Sequence, residues 1–452
     1  MSVRNMTQGS PVRLIMAVAL PLMVGNIFQQ LYTVIDAQIV GSVVGVSALA
    51  AVGAADWFNW LFLSMVQGLA QGFAIPMAQA FGANDHARLR RCVGNAIVLA
   101  VVTSLTLMAA ALCLIAPVLS ITGTPLEIRP MSVTYLTFLF AGLPVVMGYN
   151  LAAGVLRSLG DGRSPLYAMI VAALINIALD LLFVAGFGWG VGGAAAATII
   201  AQAFSCLFCL YRLSRISYVH PSRQDLRPDL PTCGRLMRLG VPLALQNGII
   251  GVGGMIVQSF VNPLGVTFIA GYTATNKLYG VLEVAAISYG YAVSTYTGQN
   301  LGAKQYRRIW SGVHAAAITG VLTAGVISAF MYLFGRGIIG SFLSGTPQEI
   351  AAATQIGWEF LWLMSTLLPV LYILHIYRSA LQGMGNTVMP MVSGIAEFIM
   401  RTGSALLLPG LIGYWGIFWA EILAWIGADV ILVSSYYVSY RKLKTDVKAE
   451  EC

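Results

Sequence analysis

Residues 92–119 read CVGNAIVLAVVTSLTLMAAALCLIAPVL and hold no charged side chain. A helix needs about 20 apolar residues to cross a bilayer, and this run exceeds that. Similar blocks recur along all 452 residues, of which 58% are hydrophobic and 9% charged. A soluble domain carries about a quarter charged residues, so soluble globular, disordered and disulfide-scaffold classes are excluded. Transmembrane barrels alternate in segments of about ten residues, and these blocks do not alternate. The chain reads as an all-α polytopic membrane protein.

Cutting at charges, turns and Pro/Gly clusters gives twelve transmembrane helices, at 14–40, 49–79, 92–119, 133–155, 165–185, 192–210, 236–261, 268–299, 309–334, 352–377, 388–408 and 415–437. A kink at Pro76 is one way to fit the long second span. The first apolar run runs past 20 residues, so a cleavable signal peptide is not expected. With the N-terminus inside, the inner segments hold 21 Lys and Arg, Arg378 counted among them, and the outer loops hold only Arg129 and Arg336. Lys277 and Arg401 fall inside spans. Such an asymmetry orients a membrane chain with its basic loops in the cytoplasm. The net charge of +8 is therefore read as topology, and no nucleic-acid partner is expected.

The two halves repeat each other. ALPLMVGN around Pro21 and Asn26 matches GVPLALQN around Pro242 and Asn247. Gly45 matches Gly265, AQAFGANDHARLRR matches TGQNLGAKQYRRIW, and Pro144, Gly160 and Pro165 match Pro369, Gly385 and Pro390, with a shift of 220 to 225 throughout. The expected organisation is a lobe of helices 1–6 over residues 1–212, a basic, Pro-containing linker over 213–235, a lobe of helices 7–12 over 236–440, and a basic tail over 441–452. Each half has six helices and starts on the same side, so the repeats are parallel, which is a transporter architecture.

Carboxylates inside a membrane cost at least ~2.5 kcal/mol each and persist where they pair or do chemistry. Helix 1 carries a polar stripe of Asn26, Gln29, Gln30, Thr33 and Asp36. Asn176 and Asp180, four apart, share a face of helix 5, and Thr198 lies in helix 6 at similar depth. Asp36, Asn176, Asp180 and Thr198 offer carboxylate, amide and hydroxyl oxygens that suit a Na+ ion, and equally two carboxylates that share a proton. The alternative is an interhelical hydrogen-bonded clamp. In the second half Glu397 and Arg401, four apart, read as an ion pair, with Glu283, Glu421 and Lys277 at similar depth. That set serves equally as a structural network or as a binding site. Asn26, Gln30, Thr33, Glu283, Glu397 and Glu421 are the candidate substrate-cavity residues. His314 and His375 are read as packing residues, and Cys206 and Cys209, although in CxxC spacing, as small apolar residues of a helix. No metal site beyond the Na+ candidate and no enzyme motif is present.

The stretches ALPLMVGNIFQQLYTVIDAQIVG, QAFGANDHARLRR, LRSLGDGRSP and NIALDLLFVAGFGWGVGGAAAAT, taken with the repeat, resemble the multidrug and toxic compound extrusion (MATE) family over nearly the whole chain. That resemblance implies a V-shaped two-lobe fold and antiport of bulky, often cationic, organic compounds against H+ or Na+, without a cofactor. In the archaeal and DinF-like members the first-lobe cation site matches Asp36, Asn176, Asp180 and Thr198. Helix 7 here has no acidic residue and helix 10 only Glu359, unlike the NorM-like branch, so the chain resembles the DinF-like branch. A monomer in the bacterial cytoplasmic membrane, in contact with lipid, is expected. The runner-up is a flippase for lipid-linked saccharides; twelve helices and just two buried cations, Lys277 and Arg401, argue against it.

The charge count predicts that both termini and the 213–235 linker are cytoplasmic. With the other Cys removed, an impermeant thiol reagent added to intact cells should leave Cys233 and Cys452 unlabelled, and labelling without permeabilisation would reverse the topology.

Overall fold

The computed structural model describes residues 3–343 and 346–451, and every regular element among them is helical. Cys452 lies outside the described residues. Among the described residues nine helices are long and apolar enough to cross a bilayer, and two bent pairs bring the number to eleven. Each expected span falls on a helix or a bent pair.

The chain forms two compact units. The first contains Leu20–Gly248 and the second Thr7–Ala19 with the chain from Ile249 onwards. The units do not divide at the linker. Helix α1 (Pro11–Ile39) gives its opening turns to the second unit, and α8 (Leu230–Val261) gives its first half to the first.

In the first unit α2 (Val46–Gly82) packs on α5 (Leu143–Ser158), α5 on α7 (Gly190–Leu213), and α7 on α6 (Arg163–Asp180). Helices α3 (His86–Ile121) and α4 (Arg129–Ala141) complete it. Its core includes Phe58, Phe62 and Phe140, with ring centroids 5.1–5.4 Å apart, close to the edge-to-face spacing aromatic quadrupoles favour. The linker is seated on this unit. Buried Asn95 donates to the carbonyl of Asp225 at 3.2 Å and accepts from the backbone N–H of Asp229 at 2.7 Å. A Cβ on Gly94 would meet the Asp225 carbonyl oxygen at 2.2 Å, so only glycine admits the linker there. Ser222 donates its hydroxyl to Asp225 at 2.7 Å and its N–H at 2.8 Å, which holds that carboxyl below its ordinary range.

The second unit holds α9 (Val266–Gly302), α10 (Tyr306–Ser341), α11 (Pro347–Thr366), α12 (Leu368–Gly383), α13 (Val388–Leu407), the single turn α14 (Pro409–Ile412) and α15 (Trp415–Glu451). Rings of Tyr272, Phe360, Phe418 and Phe268 form a continuous stack at 4.7–5.8 Å. Helix α9 is not among the apolar candidates. It is buried over Ala292–Asn300, and a helix that faces protein needs no lipid-compatible surface.

Two expected spans are broken. The fourth is α4 and α5, bent by 44° at Gly142, and the tenth is α11 and α12, bent by 50° at Leu367. Pro144 and Pro369 cause the breaks, since each lacks the N–H that would continue the helix and its ring clashes with the preceding turn. Helix α2 runs on through Pro76. The duplication is visible in the backbone itself. Gly45 and Gly265 have φ of 115° and 92°, Asn84 and Lys304 of 58° and 56°, and Gly160 and Gly385 of 76° and 84°.

Helices α9 and α11 touch backbone to backbone. A Cβ on Gly271 would lie 2.3 Å from the Ala353 carbonyl oxygen. Gly271→Ala should therefore force the helices apart and cost about 1–3 kcal/mol. Gly325→Ala on α10, where nothing lies within 4 Å, should be neutral or slightly stabilising. Thermal unfolding of the two purified variants checks the contrast, and equal effects would contradict the close approach.

Candidate functional site

Asp36 lies on α1 four residues before the start of a π-helical turn, Val40–Val44, and Asp180 is the last residue of α6, directly before a second one, Leu181–Gly186. The two wide turns pack on each other. Such turns are rare and recur at functional sites, and composition does not reveal them. Asp180 is fully buried and Asn176, one turn earlier on the same face, is 1% exposed. The Asn176 amide donates to the Thr198 hydroxyl at 3.4 Å. The carboxyls of Asp36 and Asp180 face each other. An ionised carboxylate only accepts hydrogen bonds, so no bond joins them unless a proton is shared. Asp36 Oδ1, both Asp180 oxygens and Asn176 Oδ1 are buried with no hydrogen-bond partner. The facing carboxyls carry acceptor oxygens with no donor, a burial cost that a proton or a hard cation would remove. Of the four residues expected for a coupling ion, the structure sets Asp36 against Asp180 and Asn176 against Thr198.

Asn176 and Thr198 also line a small pocket, of water size, whose polar wall includes Gln29, Tyr32, Gln202 and Ser205. Tyr32 sits between Gln29 and Gln202 and near both carboxylates, and Tyr135 approaches the same pair from α4. Gln202 Oε1 is buried without a partner. Helical spacing would have found two of these, since Tyr32 precedes Asp36 by four and Gln202 follows Thr198 by four. Asn26, Gln30 and Thr33 do not line the cavity. Gln30 and Thr33 are exposed, and the Thr33 hydroxyl donates to the Gln29 carbonyl of its own helix at 3.0 Å. Cys206 and Cys209 are free thiols, and among the described residues no three His, Cys, Asp or Glu side chains converge as metal ligands.

The charges of the second unit are arranged differently. Glu397 is held on both oxygens: Arg378 donates to Oε2 at 2.7 Å and Arg401 to Oε1 at 2.9 Å. Arg401 also donates to Glu421 at 2.7 Å, and Glu421 accepts from the Trp425 indole at 3.2 Å. The expected Glu397–Arg401 pair is one link in a four-membered chain that also holds Glu421 and adds Arg378. Arg378 lies within α12 and is 7% exposed, so it is a buried cation and not a loop charge. Lys277 is exposed on α9. Among the described residues the two buried cations of this unit are Arg378 and Arg401, which replaces the pair Lys277 and Arg401 expected from sequence. Arg378 escaped notice because its end of α12 carries the polar residues Arg378, Ser379 and Gln382, and reads as a loop. Glu283 stands outside the chain, with the imidazole of His375 at 3.6 Å, so His375 is more than a packing residue.

A profile of the MatE family matches residues 21–182 and 242–407, more than half the chain and both repeats. The probable multidrug resistance protein YpnP of Bacillus subtilis is 27% identical over 92% of this chain and 93% of its own length. The probable multidrug resistance protein NorM of Thermotoga maritima is 24% identical over 92% of this chain and 89% of its own. The solved structure of a MOP superfamily transporter from Pyrococcus furiosus superposes with a TM-score of 0.91 at 22% identity, covering 98% of each chain. At that identity the likeness is one of fold.

The four-membered chain predicts a stability pattern. Glu397→Gln strands two buried guanidiniums and should cost about 3–5 kcal/mol. Adding Arg401→Met should not restore stability, because Arg378 and Glu421 are then left alone. Neutralising all four members should recover most of it. Denaturation of the purified variants decides, and a fully stable Glu397→Gln, Arg401→Met protein would reduce the chain to a single pair.

Proposed function

The chain belongs to the MatE family, whose members are membrane transporters and not enzymes, and we propose that it exports small organic cations in exchange for H+ or Na+. The names of its relatives support multidrug export as the class of activity. The observation that carries the coupling is the Asp36–Asp180 pair with its orphaned oxygens. A group that couples two fluxes must alternate between a charged and a neutralised form. Entry of a proton or Na+ between the carboxylates removes the cost of burying them, and so favours one conformation over the other. Substrate favours the opposite one, and reciprocity of binding then converts ion entry into substrate exit by alternating access of the two lobes. Asn176 and Thr198 would supply neutral oxygens to the ion, and the adjoining small pocket, with Gln29 and Gln202 in its wall, adds polar groups beside it.

The protein acts as a monomer in the bacterial cytoplasmic membrane, with both termini inside and no cofactor besides the coupling ion. The absence of Asp and Glu from α8 supports the DinF-like branch.

Asp36→Asn keeps the shape of the side chain but cannot exchange a proton. The variant should fold and bind substrate at equilibrium, yet fail to drive uphill export in vesicles under an imposed H+ or Na+ gradient. Full gradient-driven export by the variant would remove Asp36 from the mechanism.

A further inference from the structure

The α6–α7 pair of the first unit ends in a basic cluster. Arg212, near the end of α7, donates to the Ser164 hydroxyl at the start of α6 at 3.0 Å, and this bond sets the two helix ends side by side. Arg163 precedes Ser164, and Arg215 lies three residues beyond Arg212, so both ends bring guanidiniums to one place. The carboxylate nearest in sequence does not neutralise them. Asp161 is 2% exposed, and its oxygens accept from the backbone N–H groups of Arg163 and Ser164 at 3.0 Å each and from the Ser164 hydroxyl at 2.6 Å. Acids on the neighbouring loops are engaged as well: Asp85 accepts from the Arg88 N–H, Asp225 from Ser222 and Asp229 from the Thr232 N–H. The side chains of Arg163 and Arg215 are exposed. Arg215 donates to the Tyr211 hydroxyl at 3.0 Å and lies 5.0 Å from the centre of its ring, which steadies the guanidinium while using one of its five donors.

Beyond this cluster the same pair is apolar and exposed. On α6, Tyr167, Val171 and Leu174 recur at helical spacing along one face, and on α7 Leu207 precedes Tyr211 by four. Leu174 is 65% and Leu207 63% exposed. Inside a bilayer such a surface meets acyl chains, and tyrosines at its edge mark the level of the headgroups. The second repeat differs here. Two residues before the matched prolines Pro165 and Pro390, α6 begins with Arg163 and α13 with the exposed Val388, so starting this helix does not require a cation.

We propose that the basic end of the α6–α7 pair is a docking site for one anionic phospholipid, with its phosphate between Arg163 and Arg215 and its chains along the Tyr167 and Leu207 faces. A guanidinium presents paired N–H donors that match phosphate oxygens, and basic clusters between membrane helices hold anionic headgroups. A zwitterionic lipid carries the same phosphate with its own cation attached, so the site selects for net negative charge.

Native mass spectrometry of the full-length protein, titrated with phosphatidylglycerol or with phosphatidylcholine of the same chains, tests the site. The unmodified protein should retain one phosphatidylglycerol about tenfold more tightly than phosphatidylcholine, since each Arg beside an anionic headgroup strengthens binding several-fold. Arg163→Gln with Arg215→Gln should cut that preference to about twofold or less. Arg441→Gln with Lys442→Gln, in the basic tail, should leave it unchanged. If the first pair does not fold, Arg215→Gln alone decides, because the residue lies beyond the end of α7, and it should lower the preference about threefold. Glycerol phosphate, which has the anionic group without the chains, should not displace the lipid. An unmodified protein without the preference, an Arg163/Arg215 variant or an Arg215→Gln variant that keeps it whole, a tail variant that loses it, or displacement by glycerol phosphate overturns the docking site.

Discussion

A charge inside a bilayer has no water to solvate it, so compensation must come from the protein or from something that enters. The two units meet this constraint in opposite ways. In the second, Glu397 has a guanidinium on each oxygen, and the partners are covalent parts of the chain. In the first, Asp36 and Asp180 face each other with their buried oxygens unfilled. Two adjacent carboxylates in a poorly solvated place cannot both stay ionised cheaply. In the proposed antiport a proton or a small cation would relieve that cost. A permanent pair can only stabilise, whereas an ion from solution can enter and leave, and that difference would separate a scaffold from a coupling site.

The backbone obeys the same constraint, since each helix satisfies its own N–H and C=O groups and departures need a local cause. Pro144 and Pro369 supply one, at equivalent places in the two repeats. The π-helical turns after Asp36 and Asp180 are different, because they belong to the first repeat alone among the described residues. Where Val40–Val44 precedes Gly45, the second repeat has a 3-10 turn, Asn262–Leu264, before Gly265. The positive-φ positions stay matched while the helical hydrogen-bonding pattern does not. The duplication preserved the loops and bends that build the bundle, and the halves diverged where the carboxylates lie.

Much of this was legible in the sequence because apolar blocks and basic loops are long, redundant signals. The helical spans and the repeat needed only period and charge, and depth singled out Asp36, Asn176, Asp180 and Thr198 as candidates. The bends were missed although Pro144 and Pro369 had been matched to each other, because proline at a repeated position was taken as evidence of duplication and not of a break. Arg378 was placed in a loop because its surroundings are polar, and the buried carboxylate that holds it there is nineteen residues away in sequence. Tyr32, Tyr135 and Gln202 were missed for another reason. They carry no formal charge, and a search for ionisable groups passes over the neutral side chains that shape a cavity.

The asymmetry of the halves has a mechanical consequence. If both repeats carried unfilled carboxylate pairs, each would respond to ions separately and the stoichiometry of exchange would be loose. With Arg378, Glu397, Arg401 and Glu421 closed on themselves, those four charges of the second unit do not depend on an ion from solution. In the proposed antiport, the Asp36–Asp180 pair of the first unit is where an entering ion would change the electrostatic energy, and its work would go into a single conformational change. A rigid charge chain in one repeat and an open one in the other is thus what tight coupling asks of a duplicated transporter.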